Sequence, residues 1–271
     1  MYSSFQLEEK SKNISLHFSQ VAERYRDLRT TDPEPIIYIT QELDWVSHLP
    51  RIDVADIGCG DGRYSLLFAR YLDGKVRLRC IDNNENMLET LATYLKANGI
   101  SRFVSVKSDA ESLPFGDNSF DCIMTFNAVH HFKLRDFLVE SARILRDGSL
   151  LFIYTRTLGQ NSRNIWGRYF PQFCQKETRL YHRHELEHAV SAVPALKLRT
   201  VREFKYERVT SLERLIEQAE NRHYSTFWFY SEEELVTALD EFQQNIRKQF
   251  SDPNQVRWFD ENLLLVIEKK G

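Results

Sequence analysis

A chain of 271 residues has room for one large α/β domain, or for one domain with a lid or small second unit. Its 42% hydrophobic and 28% charged residues are those of a globular protein, and a net charge of −3 offers no overall basic field to draw nucleic acid. No apolar run approaches the ~20 residues needed to cross a bilayer, residues 1–20 lack the apolar segment of a secretory signal, and the cysteines at 59, 80, 122 and 174 have neither Cys-x-x-Cys spacing nor histidine partners. Neither a metal site nor a disulfide framework is expected, and cytoplasmic residence is.

From residue 52 onward, short β-branched runs alternate with longer amphipathic ones. Ile52–Ile57 reads as a strand, followed by a helix in which Tyr64, Leu67, Phe68 and Tyr71 recur at helical spacing. Val76–Ile81 is a second strand, and Met87, Leu88, Leu91, Tyr94 and Leu95 mark the next helix. Phe103–Val106 and Phe120–Phe126 are the third and fourth strands. Phe137, Leu138, Ala142 and Leu145 share one face of a helix expected to end near Asp147, with Gly148 as its C-cap. Leu150–Tyr154 is apolar on both faces, as a central parallel strand should be. This alternation predicts an open, doubly wound, Rossmann-like α/β sheet over residues 50–156, with ligands outside the carboxyl ends of the strands.

Beyond it, residues 157–184 are aromatic and basic with weak periodicity. Leu196–Lys205 and Asn262–Lys269 read as two last strands, which makes seven strands, mostly parallel with a final antiparallel one. Between them lie two helices, each expected to open on a capping box: Thr210 with Glu213, and Ser231 with Glu234. These helices read as an insertion forming a lid over the sheet's edge or its crevice.

The turn Asp56-Ile57-Gly58-Cys59-Gly60-Asp61-Gly62 joins the first strand to its helix. Its glycines let the backbone turn tightly and approach a ligand closely. A dinucleotide fingerprint requires a small residue at position 63, where this chain has Arg63. Asp56, at the strand's end, would repel a pyrophosphate and suits a ligand carrying an ammonium group. Asp82 follows Gly62 by 20 positions and can accept from ribose hydroxyls. Asp109, after the third strand, can bond an adenine's exocyclic amine. Three acids at three successive strand ends suit an adenosine with a cationic tail.

These segments resemble the motifs of class I S-adenosylmethionine-dependent methyltransferases. Val54 to Gly62 resembles the first motif. Ile81-Asp82-Asn83 with Met87 resembles the second. Ser108-Asp109-Ala110-Glu111, with Leu113-Pro114-Phe115 and Ser119-Phe120-Asp121, resembles the third. Asn127-Ala128-Val129-His130-His131-Phe132 is similar to the segment after the fourth strand. The likeness covers residues 20–156 or so and leans to the ubiquinone/menaquinone and biotin-pathway group, type 11. It implies S-adenosylmethionine as cofactor, with Asp56, Gly58, Cys59, Gly60 and Gly62 at the methionine end. Asp82, Asn83 and Met87 would lie at the ribose, Asp109 and Ala110 at the adenine, and Asn127 near the methyl group. It also implies an amino-terminal helical arm (1–49) closing over the cofactor, where Arg29 pairs with the carboxylate and Tyr25 covers the sulfonium. A cofactor core (50–156) and an acceptor side (157–271) follow.

Methyl transfer from a sulfonium needs alignment, exclusion of water and, for some acceptors, a base. His130 and His131 are the candidate bases, or they only order the loop. Arg156, Arg163, Arg168, Lys176, Arg179 and Arg183 stand against one acid, Glu177, between Arg156 and His184. They form a wall for an anionic or aromatic acceptor, an RNA surface, or a lid with solvated cations. Arg168, and Tyr224 in the Arg222–Phe227 cluster, are the candidate acceptor contacts. A small-molecule acceptor is the favoured reading. An RNA- or protein-modifying methyltransferase and a non-catalytic S-adenosylmethionine-binding module are its rivals.

Overall fold

The computed structural model describes residues 28–43, 49–72 and 74–271. Tyr25 lies outside the described residues. Helix α1 (Glu34–Glu42) precedes β1 (Ile52–Ile57), α2 (Arg63–Tyr71), β2 (Val76–Asp82), α3 (Glu85–Ala97), β3 (Phe103–Lys107) and β4 (Phe120–Phe126). Next come α4 (Leu134–Ile144) and β5 (Leu145–Thr155), then three short helices, α5 (Leu158–Arg163), α6 (Ile165–Tyr169) and α7 (Phe173–Lys176). The chain ends with α8 (Arg183–Ser191), β6 (Leu196–Thr210), α9 (Leu212–Glu220), α10 (Glu232–Gln249) and β7 (Val256–Lys269). The strands form one seven-stranded sheet in the order β3-β2-β1-β4-β5-β7-β6. The pairs β1–β2, β1–β4, β2–β3 and β4–β5 are parallel, and β7 runs antiparallel to β5. The Rossmann-like seven-stranded sheet expected from the alternation is the one observed.

Every residue of β4 is buried, as the strand's position in mid-sheet demands. On one face Ile57, Ile81, Ile123, Ile153 and Leu265 pack with Phe137, Leu138 and Ile144 of α4 and with Leu186 and Val190 of α8. Burial of each such side chain contributes about 1.5–3 kcal/mol. Val54, Asp56, Cys80, Cys122 and Met124 alternate with these residues along their strands and so point to the other face.

Gly148 is not a helix cap. Helix α4 stops at Ile144, and the register jumps from Phe120↔Leu145 to Cys122↔Leu150, so residues 146–149 bulge out of the ladder. Gly148 has φ +77°, which serves that bulge. The bulge returns Arg146 to Asp121 at 2.6 Å, and Asp121 also accepts from the Asp53 backbone N–H at 2.8 Å.

The described residues divide into two compact units. One holds Thr30–Arg156, Tyr181–Phe204 and Asn262–Gly271. The other holds Thr157–Leu180 and Lys205–Glu261, with Leu28 and Arg29. In the second unit Trp166 stacks on Phe242 at 5.3 Å and meets Phe227 edge-on at 5.2 Å, with Phe170 and Phe173 completing the aromatic core. A Cβ at Gly167 would lie 2.0 Å from the Asn161 carbonyl oxygen, so no other residue fits there. The Ser231–Glu234 capping box forms in both directions. The other expected box does not form: Thr210 ends β6, and the Ser211 hydroxyl caps the helix instead, accepting from the Arg214 N–H at 3.2 Å. A further box, Thr157 with Gln160, opens α5. Among the described residues no helix is long and apolar enough to cross a membrane.

Candidate cofactor site

The site is built at the carboxyl ends of β1, β2 and β4. Ile81, next to last in β2, accepts from the N–H groups of Gly58 (2.8 Å) and Cys59 (3.0 Å), which folds the glycine turn against β2. Gly58 has φ +70°, and a Cβ there would meet the Ala128 methyl at 2.5 Å and the Phe132 ring at 2.9 Å. That near contact sets the segment after β4 directly against the turn. Gly60 is also left-handed, at φ +52°, yet nothing lies within 4 Å of the place its Cβ would take. Open space beside a bare backbone is what a closely approaching ligand needs.

Asp82 holds the turn. Its Oδ2 accepts from the Gly60 N–H and its Oδ1 from the Asn84 N–H, both at 2.9 Å. Burial raises its pKa, and the backbone N–H groups of Asn84, Gly60 and Asn83 oppose that rise. The Asn84 side chain in turn caps α3 by accepting from the Met87 N–H at 3.1 Å. Met87 itself is buried at the start of that helix. Asn83 is exposed and donates to Asp109 at 3.4 Å, while Ala110 is buried beside it. Acid and amide from neighbouring strand ends thus share one rim.

Asp56 is 2% exposed and accepts from the Ser65 hydroxyl at 2.5 Å. Burial pushes its carboxyl up to about 7, against the Ser65 hydrogen bond and with help from the charge of Asp82. Ser65 is a site residue that sequence reasoning missed. Its signal was its place one helical turn past Asp61, on the helix that the glycine turn opens.

Asn127 follows β4 in the left-handed region, at φ +53°, a conformation uncommon outside glycine. Its N–H donates to the Tyr154 carbonyl at 2.7 Å, and its Oδ1 accepts from Asn262 at 3.1 Å. Asn262 was also missed, although a lone amide opening the apolar run Leu263–Ile267 was a readable signal. His130 and His131 lie in a short 3₁₀ turn (Val129–His131), half-buried, with ring centroids 4.1 Å apart.

The structure thus brings together Asp56, the glycine turn, Asp82, Asn83, Asp109, Ala110, Asn127 and the two histidines. Arg29, Arg168 and Tyr224 belong to the other unit. There the Arg29 guanidinium lies 4.1 Å from the centroid of the Tyr224 ring, and Arg168 is exposed on α6. The basic stretch before His184 is largely neutralised. Arg163 pairs with Glu261, Lys176 with Glu234 at 3.0 Å, Arg179 with Glu177 at 2.5 Å and Arg183 with Glu187 at 2.7 Å. Counting acids within the stretch alone hid Glu187, just beyond it, and Glu234 and Glu261, from distant parts of the chain. Among the described residues, no predicted site residue lines the surface groove of about 650 Å³ beside Leu212, Ile216, Glu217 and Arg247. Among the described residues no cluster of three His, Cys, Asp or Glu could hold a metal ion.

Residues 55–153 match the family model described as the methyltransferase domain. These residues are similar to that domain. Over 102 residues, 37% of this chain and 39% of the relative, the chain is 35% identical to the uncharacterized methyltransferase YcgJ of Bacillus subtilis. Over 167 residues, 59% of this chain and 66% of the relative, it is 29% identical to the ubiquinone/menaquinone biosynthesis C-methyltransferase of Saccharophagus degradans. The chain therefore spans about two fifths of the first relative's length and just under two thirds of the second's. A solved candidate methyltransferase from Bacillus halodurans shares the fold, with a TM-score of 0.60 at 18% identity over 85% of this chain and 98% of that one. The resemblance of the four motifs to class I methyltransferases is borne out by these matches.

Proposed function

We propose that the protein is an S-adenosylmethionine-dependent methyltransferase acting on a small-molecule acceptor. The observation that carries this reading is the Asp82 carboxyl, which ties the open Gly60 turn to the end of β2. It makes a rim with hydrogen-bond acceptors. In this reading Asp56, Gly58, Cys59, Gly60 and Gly62 receive the methionine end, Asp82 and Asn83 the ribose, and Asp109 and Ala110 the adenine. Met87 supports the ribose position from the first turn of α3. Asn127 lies near the transferable methyl, and His130 and His131 are the candidate bases. The methyl donor supplies the electrophile, and the chain's residues align it and keep water out.

Several relatives act on small molecules by name, among them ubiquinone/menaquinone and sterol 24-C-methyltransferases, which supports a small-molecule acceptor. The ion pairing of Arg163, Lys176, Arg179 and Arg183 speaks against an RNA surface. Four free cysteines fit a reducing, cytoplasmic setting. The test is transfer of a labelled methyl group from S-adenosylmethionine to a panel of quinols, sterols, phenols and amines, with tRNA and a protein lysate alongside. Labelling within the small-molecule panel is expected. Label incorporated only into tRNA or protein would overturn the acceptor class.

A further inference from the structure

We propose that donor binding at this site displaces a proton from Asp56, so that loading of the cofactor is coupled to pH. The inference rests on the reading of the rim as an S-adenosylmethionine site and goes beyond it.

Two carboxyls stand at the ends of adjacent strands, buried Asp56 on β1 and half-buried Asp82 on β2, and neither has a Lys or Arg partner among the described residues. They are not equivalent. Asp82 has backbone N–H groups on both oxygens, at 2.9 Å each. Asp56 has one hydrogen bond, from Ser65 to Oδ2, while its buried Oδ1 has no hydrogen-bond partner. An ionised carboxylate left this way loses most of its hydration and regains one bond.

The groups around Asp56 do not remedy this. From α2 comes Ser65, a neutral donor. From β2 come Cys80, 3.9 Å from the Ser65 hydroxyl, and the like-charged Asp82. Cys122 on β4 is held protonated by burial, with Asp121 and Asp56 adding to the rise, and Cys59 in the turn by burial and by Cys80. Asp61, farther along the turn, is already paired with Arg63 at 3.2 Å. With no cation to compensate, the carboxyl titrates near neutrality, at about 7.

A ligand with an α-ammonium and a sulfonium supplies the missing charge. It stabilises ionised Asp56, so a proton leaves as the ligand enters. Linkage then fixes the sign. At pH well above 7 the carboxyl is already ionised and binding is pH-independent. Below 7 each pH unit weakens binding by up to about tenfold.

The experiment is isothermal titration of the full chain with S-adenosylmethionine at pH 6, 7 and 8, in buffers of differing ionisation enthalpy to count protons. S-adenosylhomocysteine, which keeps the ammonium, and methylthioadenosine, which lacks it, are run alongside. Release approaching one proton at pH 6 and none at pH 8 is expected, with S-adenosylhomocysteine showing the same linkage and methylthioadenosine none. Asp56→Asn, checked for folding by circular dichroism, should bind more weakly and without pH dependence. Equal Kd at pH 6 and 8 with no proton released would overturn the proposal and leave the cofactor reading intact. A pH slope that persists in Asp56→Asn would also overturn it. Absence of binding at every pH would instead sink the cofactor reading, and this inference with it.

Discussion

The carboxyl edge of the sheet and the aromatic unit of Thr157–Leu180 and Lys205–Glu261 treat buried charge in opposite ways. In the aromatic unit, Glu177 is 3% exposed and fully engaged: Arg179 pairs with it at 2.5 Å and the Thr226 hydroxyl donates to it at 2.6 Å. The Arg179 pairing outweighs burial and holds the carboxyl below the usual range, although burial is the largest single influence. At the sheet edge, Asp56 is as buried but has a hydroxyl and no cation, and its carboxyl is pushed up. A completed charge network belongs to the fold; an incomplete one belongs to a ligand.

Removing one side of the completed network should have the largest effect. Glu177→Ala leaves Arg179 without its carboxylate and should cost about 3–5 kcal/mol in urea denaturation. A cost under 1 kcal/mol would erase the contrast.

The incomplete network makes the opposite prediction. Asp56 has its folded pKa raised from 3.8 to about 7, so its contribution is intact below pH 4 and is lost as pH rises toward 7. Without ligand, the stability of the wild type relative to Asp56→Asn should fall between pH 4.5 and 7.5, by on the order of 4 kcal/mol at most. Denaturation curves at both pH values measure it, and a difference that does not change with pH would show that the burial of Asp56 carries no charge penalty.

The fold was legible where the pattern was long and periodic. β4 runs over the expected Phe120–Phe126, and β1 over Ile52–Ile57. Legibility failed where a residue has two uses. Gly148 after an amphipathic helix reads as a cap, but its left-handed φ serves a bulge set by the register of β4 and β5. Thr210 and Ser211 are both good caps, and the length of β6 decides between them. In the site, the acids and glycines were readable because their spacing follows the chain. Asn262, 135 residues from Asn127, and Glu261, 98 from Arg163, were not, because only tertiary structure pairs them.

Smaller effects sharpen the same comparison. Asn262→Leu removes one partner of a mostly buried amide pair and should cost about 1–3 kcal/mol in thermal or urea unfolding. Arg168→Ala, at an exposed position of α6, should stay within about 0.5 kcal/mol of wild type and leave cofactor affinity unchanged. Loss of cofactor affinity in Arg168→Ala would move that residue from the acceptor to the donor.

The central claim is that the Asp82-tethered glycine turn binds an adenosine with a cationic tail. Calorimetry at pH 8 with S-adenosylmethionine and with NAD, on the wild type and on Asp82→Ala, tests it most directly. One S-adenosylmethionine per chain, no heat with NAD, and affinity at least about tenfold weaker in Asp82→Ala are the results predicted, since charged hydrogen bonds contribute about 1.5–3 kcal/mol. Binding of NAD in preference to S-adenosylmethionine, or undiminished affinity in Asp82→Ala, would contradict the account.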